Sequence, residues 1–139
     1  MIELSLATER KVQALDVTEA VHERTWPDGF LWVGCPHTTA AIIVGESDPD
    51  MLADYERVAT ELFAPFEPFR HHRNDNPNAA AHLVSSLAGA QLLLPVVDGR
   101  VQLGTYQRLI FLELDGPKPA RTLRIGSVAA IAVRTEVGA

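Results

Sequence analysis

Phe30-Leu31-Trp32-Val33-Gly34-Cys35-Pro36-His37-Thr38-Thr39-Ala40-Ala41-Ile42-Ile43-Val44-Gly45-Glu46 reads as two apolar strands, over 30–35 and 39–45, joined by a polar corner. A strand that breaks its apolar run with Pro-His-Thr-Thr either turns at the surface or presents polar groups to a ligand. If it presents them, the other polar clusters, His71 to His82 and Gly104 to Arg121, are expected to converge on it.

Upstream, Ile2, Leu4 and Leu6 alternate with Glu3, Ser5 and Ala7, the period of a half-buried strand. Val12 to Leu15 is expected to return as a second strand. Asp16 or Thr18 can cap a short helix with Glu19 in its first turn and Val17, Val21 and Trp26 inward. His22 lies among Glu19, Glu23 and Arg24 and reads as a solvated residue. Trp26-Pro27-Asp28-Gly29 then turns the chain.

Downstream, Asp48 and Pro49 open a helix whose stripe is Met51, Leu52, Tyr55, Val58, Ala59 and Leu62. Pro65 and Pro68 end it. Residues 66–78 form a polar loop. A second helix runs from Asn78 to Ala88, with Asn76 or Asn78 as cap and Gly89 as stop. Gln91–Val97 and Arg100–Leu103 flank an Asp98-Gly99 hairpin turn. Further strands are expected at Leu109–Leu114, Leu123–Ile125 and Val128–Val133. Many strands with two or three segregated helices predict an α+β fold with a largely antiparallel sheet.

The 139 residues suit one domain, 1–139. The start lacks a basic segment followed by an apolar block, so a soluble, cytoplasmic protein is expected, without a membrane span. One cysteine, Cys35, excludes an internal disulfide framework, and its apolar strand makes it a small buried hydrophobe. A net charge of −6 argues against a nucleic-acid partner.

Four of the five histidines, His37, His71, His72 and His82, fall in or beside the polar interruptions. Imidazoles suit a divalent transition metal, and His37, His72 and His82 are the candidate ligands, with Asp75, Glu46 or Gln107 as partners that fix a tautomer. The competing reading is that His82 packs on the core and His71 and His72 are solvated. Thr38 and Thr39 either bond neighbouring backbone or hold a ligand. A general-base role for Glu46 requires burial. Gly104, Thr105 and Gln107, with Lys118 and Arg121 beyond Gly116, either form an anion site suited to phosphate or diphosphate, or are turns carrying solvated charges.

The ordered set of Phe30 to Glu46, Asp48-Pro49, Asn78 through Ala81-His82-Leu83 to Gly89, Pro95 with Asp98-Gly99-Arg100, Leu103-Gly104-Thr105-Tyr106-Gln107, and Glu113-Leu114-Asp115-Gly116-Pro117 resembles the YjbQ-like family, also called the secondary thiamine-phosphate synthase family. The resemblance covers nearly the whole chain. It implies an α+β domain assembled as a homotrimer, with a polar pocket at a subunit interface where a divalent metal (zinc or magnesium) or an anion binds. It also implies joining of hydroxymethylpyrimidine diphosphate to thiazole phosphate, releasing diphosphate. On that reading His37, His82 and Glu46 are catalytic, while Thr38, Thr39, Gly104, Thr105, Gln107, Lys118 and Arg121 hold a phosphorylated substrate. A non-catalytic metal- or anion-binding trimer, or a metal-dependent phosphate-ester hydrolase, keeps the same motifs. The chain departs from the family pattern at Gly45, where an Asn is usual, at Tyr106 in place of Trp, and at Lys118 in place of Arg.

Overall fold

The computed structural model describes residues 1–71 and 75–130. In chain order its elements are β1 (Ile2–Leu6), β2 (Gln13–Asp16), α1 (Thr18–His22), β3 (Gly29–Gly34), β4 (Ala40–Gly45), α2 (Pro49–Glu61), a 3-10 turn (Ala64–Phe66), α3 (Ala79–Ala88), β5 (Gln91–Val97), β6 (Arg100–Val101), β7 (Arg108–Glu113) and β8 (Arg121–Val128). One antiparallel sheet runs β1-β8-β3-β5-β6 and a second runs β2-β7-β4. The expected α+β class with antiparallel strands is what the chain forms.

Layering follows from the period of two along β7. Leu109 and Phe111 join Leu31, Val33, Leu94, Leu123 and Ile125 in the core between the sheets. Ile110, Leu112 and the following Leu114 join Ala59, Ala81 and Val84 beneath α2 and α3. Buried on both faces, β7 carries an almost unbroken apolar run rather than an alternating one. The same period turns Glu113 toward the inter-sheet side, where it is fully buried. Burial of a side chain such as Phe111 contributes about 1.5–3 kcal/mol.

Asp48 caps α2, its carboxylate accepting from the N–H groups of Asp50 at 3.0 Å and Met51 at 3.1 Å. The expected stripe of this helix is only partly covered: Ala59 is buried, while Val58 and Leu62 lie largely in solvent. α3 differs from expectation at its start. Asn78 stands at the cap position, yet its side chain makes no cap bond and donates instead to Asp115 at 3.1 Å.

Two strand expectations are corrected. Leu123–Ile125 and Val128 belong to one continuous strand, β8, because its residues pair with both β1 and β3. Residues 131–133 lie outside the described residues. The return strand after Asp98-Gly99 is only Arg100–Val101. Asp98 and Gly99 have φ of 53° and 76°, the paired positive values of a tight hairpin turn. Among the described residues no helix is long and apolar enough to cross a membrane.

Candidate functional site

The β4–β7 ladder pairs Ala40 with Glu113 and Gly45 with Arg108, so it has two chemically distinct ends. At the first end, Arg121 closes on Glu113: Nε donates to Oε2 at 2.7 Å and Nη2 to Oε1 at 2.5 Å. Glu113 Oε1 also accepts from the N–H groups of Leu114 (3.0 Å) and Asp115 (2.9 Å), and Oε2 from the Thr8 hydroxyl (2.9 Å). Burial alone would raise this carboxyl, but the bonds from Arg121, Asp115 and Thr8 outweigh it and hold it below its ordinary value.

Arg121 Nη2 donates a further bond to Thr39 Oγ1 at 3.0 Å. Thr39 is buried, and accepting from a guanidinium polarises its hydroxyl as a donor. Arg121 is therefore not an open anion-binding fork: its charge is compensated by Glu113, and its influence passes through Thr39. Thr38, one residue earlier, is exposed.

His37 is half-buried beside this pair. Its Nε2 accepts the Thr122 backbone N–H at 2.9 Å. A neutral ring accepting at Nε2 carries its proton on Nδ1. Burial, reinforced by the positive charge of Arg121, pushes His37 below the usual imidazole value, which keeps the ring neutral. The side chain thus presents an N–H donor, with its lone pair already taken. The partner that fixes the tautomer is a backbone amide, not Glu46, Asp75 or Gln107. Neighbouring Cys35 is buried, and burial pushes its thiol up, as befits a packed hydrophobe.

A second carboxylate anchors Asn76 and Asn78 to this end. Asp115 accepts from Asn76 Nδ2 and Asn78 Nδ2, each at 3.1 Å, and pairs with Lys11. Burial works against its ionisation, but Lys11 and the two asparagines hold the carboxyl below its ordinary value. Between Asn78 on Asp115 and Ser85, whose hydroxyl donates to the Ala40 carbonyl at 2.7 Å, α3 carries His82. Its ring packs edge-on against His71, with centroids 4.9 Å apart. His72 lies outside the described residues.

The other end of the ladder holds Glu46, Gly104, Thr105 and Gln107. Five strand steps from Arg108 to Glu113 put it about 17 Å away along β7. Within one chain, the expected convergence of Gly104–Gln107 on His37 does not occur. Gly104 does not offer a free amide either: its N–H donates to Gln107 Oε1 at 2.8 Å, closing a local turn. Glu46 is exposed, without the burial its general-base role requires. Asp16 organises this end, accepting from Arg108 Nε (2.8 Å), Ser47 (2.6 Å) and Thr18 (2.6 Å). Lys118 stays at the first end, its backbone N–H donating to Thr8 Oγ1 at 2.8 Å.

Among the described residues no three His, Cys, Asp or Glu side chains stand where they could share a metal ion. With the His37 Nε2 lone pair engaged, the proposed triplet does not fit a metal centre through that atom. Sequence reasoning gave no role to Thr8, Thr122, Glu113 or Asp115, although the last two stand in a motif that carries the resemblance. The signal for Glu113 was available: one carboxylate inside the apolar run Leu109–Leu114 is either exposed at an edge or buried with a cation.

The pattern of the family described as UPF0047 protein YjbQ-like matches residues 2–130. A UPF0047 protein of Archaeoglobus fulgidus is 37% identical, covering 88% of this chain and 97% of its own length. UPF0047 protein YugU of Bacillus subtilis is 36% identical, covering 83% and 89% respectively. Among solved structures, a hypothetical protein of Aeropyrum pernix K1 superposes with a TM-score of 0.82 at 38% identity, covering 92% of this chain and 97% of the other.

Proposed function

This chain belongs to the YjbQ-like UPF0047 family, and from that premise we propose that it is a small-molecule transferase resembling the secondary thiamine-phosphate synthases. The reaction would join hydroxymethylpyrimidine diphosphate to thiazole phosphate: the thiazole nitrogen attacks the pyrimidine methylene, the carbon–oxygen bond breaks, and diphosphate departs with the bonding pair. What the protein must supply is stabilisation of the charge on the departing oxygens. The observation that carries the reading is the His37–Thr122 bond. It leaves a neutral Nδ1–H as the donor of the ring, at the end of the ladder that also holds the Thr39 hydroxyl, which Arg121 polarises.

In this proposal His37 Nδ1–H and the hydroxyls of Thr38 and Thr39 receive the diphosphate, and Lys118 adds positive charge. Arg121 works indirectly, by holding Thr39. No step is assigned to a histidine-bound metal. Magnesium carried by the diphosphate itself needs few protein ligands, so metal dependence does not require the triplet. Glu46 and Gly104–Gln107 lie too far from His37 to serve the same chain's pocket. The proposed assembly is a homotrimer in which these residues face the His37 end of a neighbouring copy, in the cytoplasm.

The test is to incubate the purified chain with both substrates, with and without magnesium or zinc, and to measure thiamine phosphate and diphosphate. Equimolar products support the reading. Anion binding without turnover replaces it with a non-catalytic binding protein, and hydrolysis of either phosphate ester with a hydrolase. A monomer in sedimentation analysis refutes the shared pocket.

A further inference from the structure

A groove runs between the 67–71 segment and the first turns of α3, apart from the Thr39–Glu113–Arg121 cluster. One chamber of about 450 Å³ is lined by Phe69, Arg70, His71, Ala79, His82 and Leu83. It shares Phe69, His71 and Ala79 with a second chamber of about 510 Å³, which extends toward Glu67, Pro68 and Pro77. The walls are mostly carbon. The polar groups at the first chamber are two imidazoles, 4.9 Å apart between ring centroids, and a guanidinium.

That composition selects a ligand. An apolar slot with an aromatic wall takes a flat ring, which stacks with or abuts the Phe69 and His71 rings. Imidazole N–H groups and a guanidinium favour an anion, and a guanidinium matches phosphate oxygens in pairs. Among the described residues no carboxylate forms an ion pair with Arg70. The protein as a whole carries −6, so a guanidinium beside two imidazoles on an apolar groove is a departure from its general surface. The same guanidinium disfavours a metal ion between the two imidazoles, since a second positive charge would sit beside it and no carboxylate lines the first chamber to offset it.

We propose that this groove is a binding subsite for an aryl monophosphate, with the ring against Phe69 and Leu83 and the phosphate at Arg70, His71 and His82. Its place in catalysis rests on the synthase reading, in which both substrates are phosphorylated heterocycles; its existence does not depend on turnover. Asp115 is the positioning residue, since it grips Asn76 and Asn78 at the foot of α3, next to Ala79 of the groove wall.

Phenyl phosphate is a sufficient probe. Titrated into the 15N-labelled protein, it should shift the amides of Phe69 and Ala79–Leu83 saturably. Phenol and inorganic phosphate, each supplying half the ligand, should bind at least about tenfold more weakly. Phe69→Ala and the exposed Arg70→Gln should each weaken phenyl phosphate severalfold. The Arg70 variant keeps the test decisive where loss of Phe69 loosens the loop. Shifts located elsewhere, equal binding of inorganic phosphate, or indifference to Arg70→Gln overturn the subsite. So does tighter binding of zinc to the same amides that is abolished by His82→Ala. Because no reaction is involved, an inactive protein that binds phenyl phosphate refutes the synthase reading alone.

Discussion

Arg121 and Glu113 form a bidentate ion pair whose carboxylate is completely buried, and the same guanidinium holds the hydroxyl of Thr39. The pair joins the interior of the sandwich to the polar corner after β3. Removing one partner strands a charge in a buried site. Arg121→Met should therefore cost about 3–5 kcal/mol. The double variant Glu113→Leu with Arg121→Met should be less destabilised than either single variant. Urea unfolding monitored by tryptophan fluorescence measures both; additive losses would contradict a coupled pair.

His37 is held neutral, and this sets a pH dependence. Its folded value lies below the unfolded value of about 6.5. The unfolded chain then binds the extra proton first as the pH falls. The contribution of His37 to stability is complete above about pH 6.5 and diminishes as the pH drops toward the folded value. Ring-proton NMR titration should give a midpoint below 6.5, with the neutral form carrying its proton on Nδ1. A midpoint at or above 6.5 would refute the neutral-donor assignment.

At the far end of the ladder, Asp16 has its pKa lowered to about 2, its bonds to Ser47, Thr18 and Arg108 overcoming the effect of burial. A depressed carboxyl stabilises above its unfolded value, near 4, and loses that contribution as the pH falls through 2. Asp16→Asn should cost about 1–2 kcal/mol near neutrality, allowing for the partial exposure of Arg108. The difference between the two proteins should shrink on acidification. A gap that stays constant down to about pH 2 would show that the loss is not ionic.

Gly116 is a packing constraint rather than a hinge. A Cβ there would lie 2.3 Å from the Arg10 carbonyl oxygen and 2.8 Å from Glu113 Cγ. Backbone cannot yield cheaply, so Gly116→Ala should destabilise by about 1–3 kcal/mol and disturb the Glu113 network. Gly104→Ala, whose nearest contacts are side-chain atoms of Gln107 at 3.3 Å or more, should be close to neutral. Thermal melts of the two variants compare them directly; equal losses would contradict the distinction.

Much of the fold was legible because its signals are local. The alternation of residues 2–7, the Asp48-Pro49 cap and the Asp98-Gly99 turn each depend on a few neighbours, and each appears as read. The site was legible only as candidates. Thr39 and Arg121 do meet directly, but Arg121 is held there by Glu113, 105 residues from its partner Thr8, and no local pattern reports such contacts. The expected union of Gly104–Gln107 with His37 fails within one chain because β7 separates them by its whole length. Asn78 looked like a helix cap and became an anchor for Asp115, since the buried carboxylate outcompeted the helix end for its side chain.

The most direct measurement is the rate of thiamine phosphate formation by the purified protein before and after His37→Ala, with magnesium present. The expected result is measurable product from the original protein and a loss of at least about a hundredfold in the variant, at the scale of a lost oxyanion donor. Equal rates in the two proteins, or no product from either, would contradict the role given to His37.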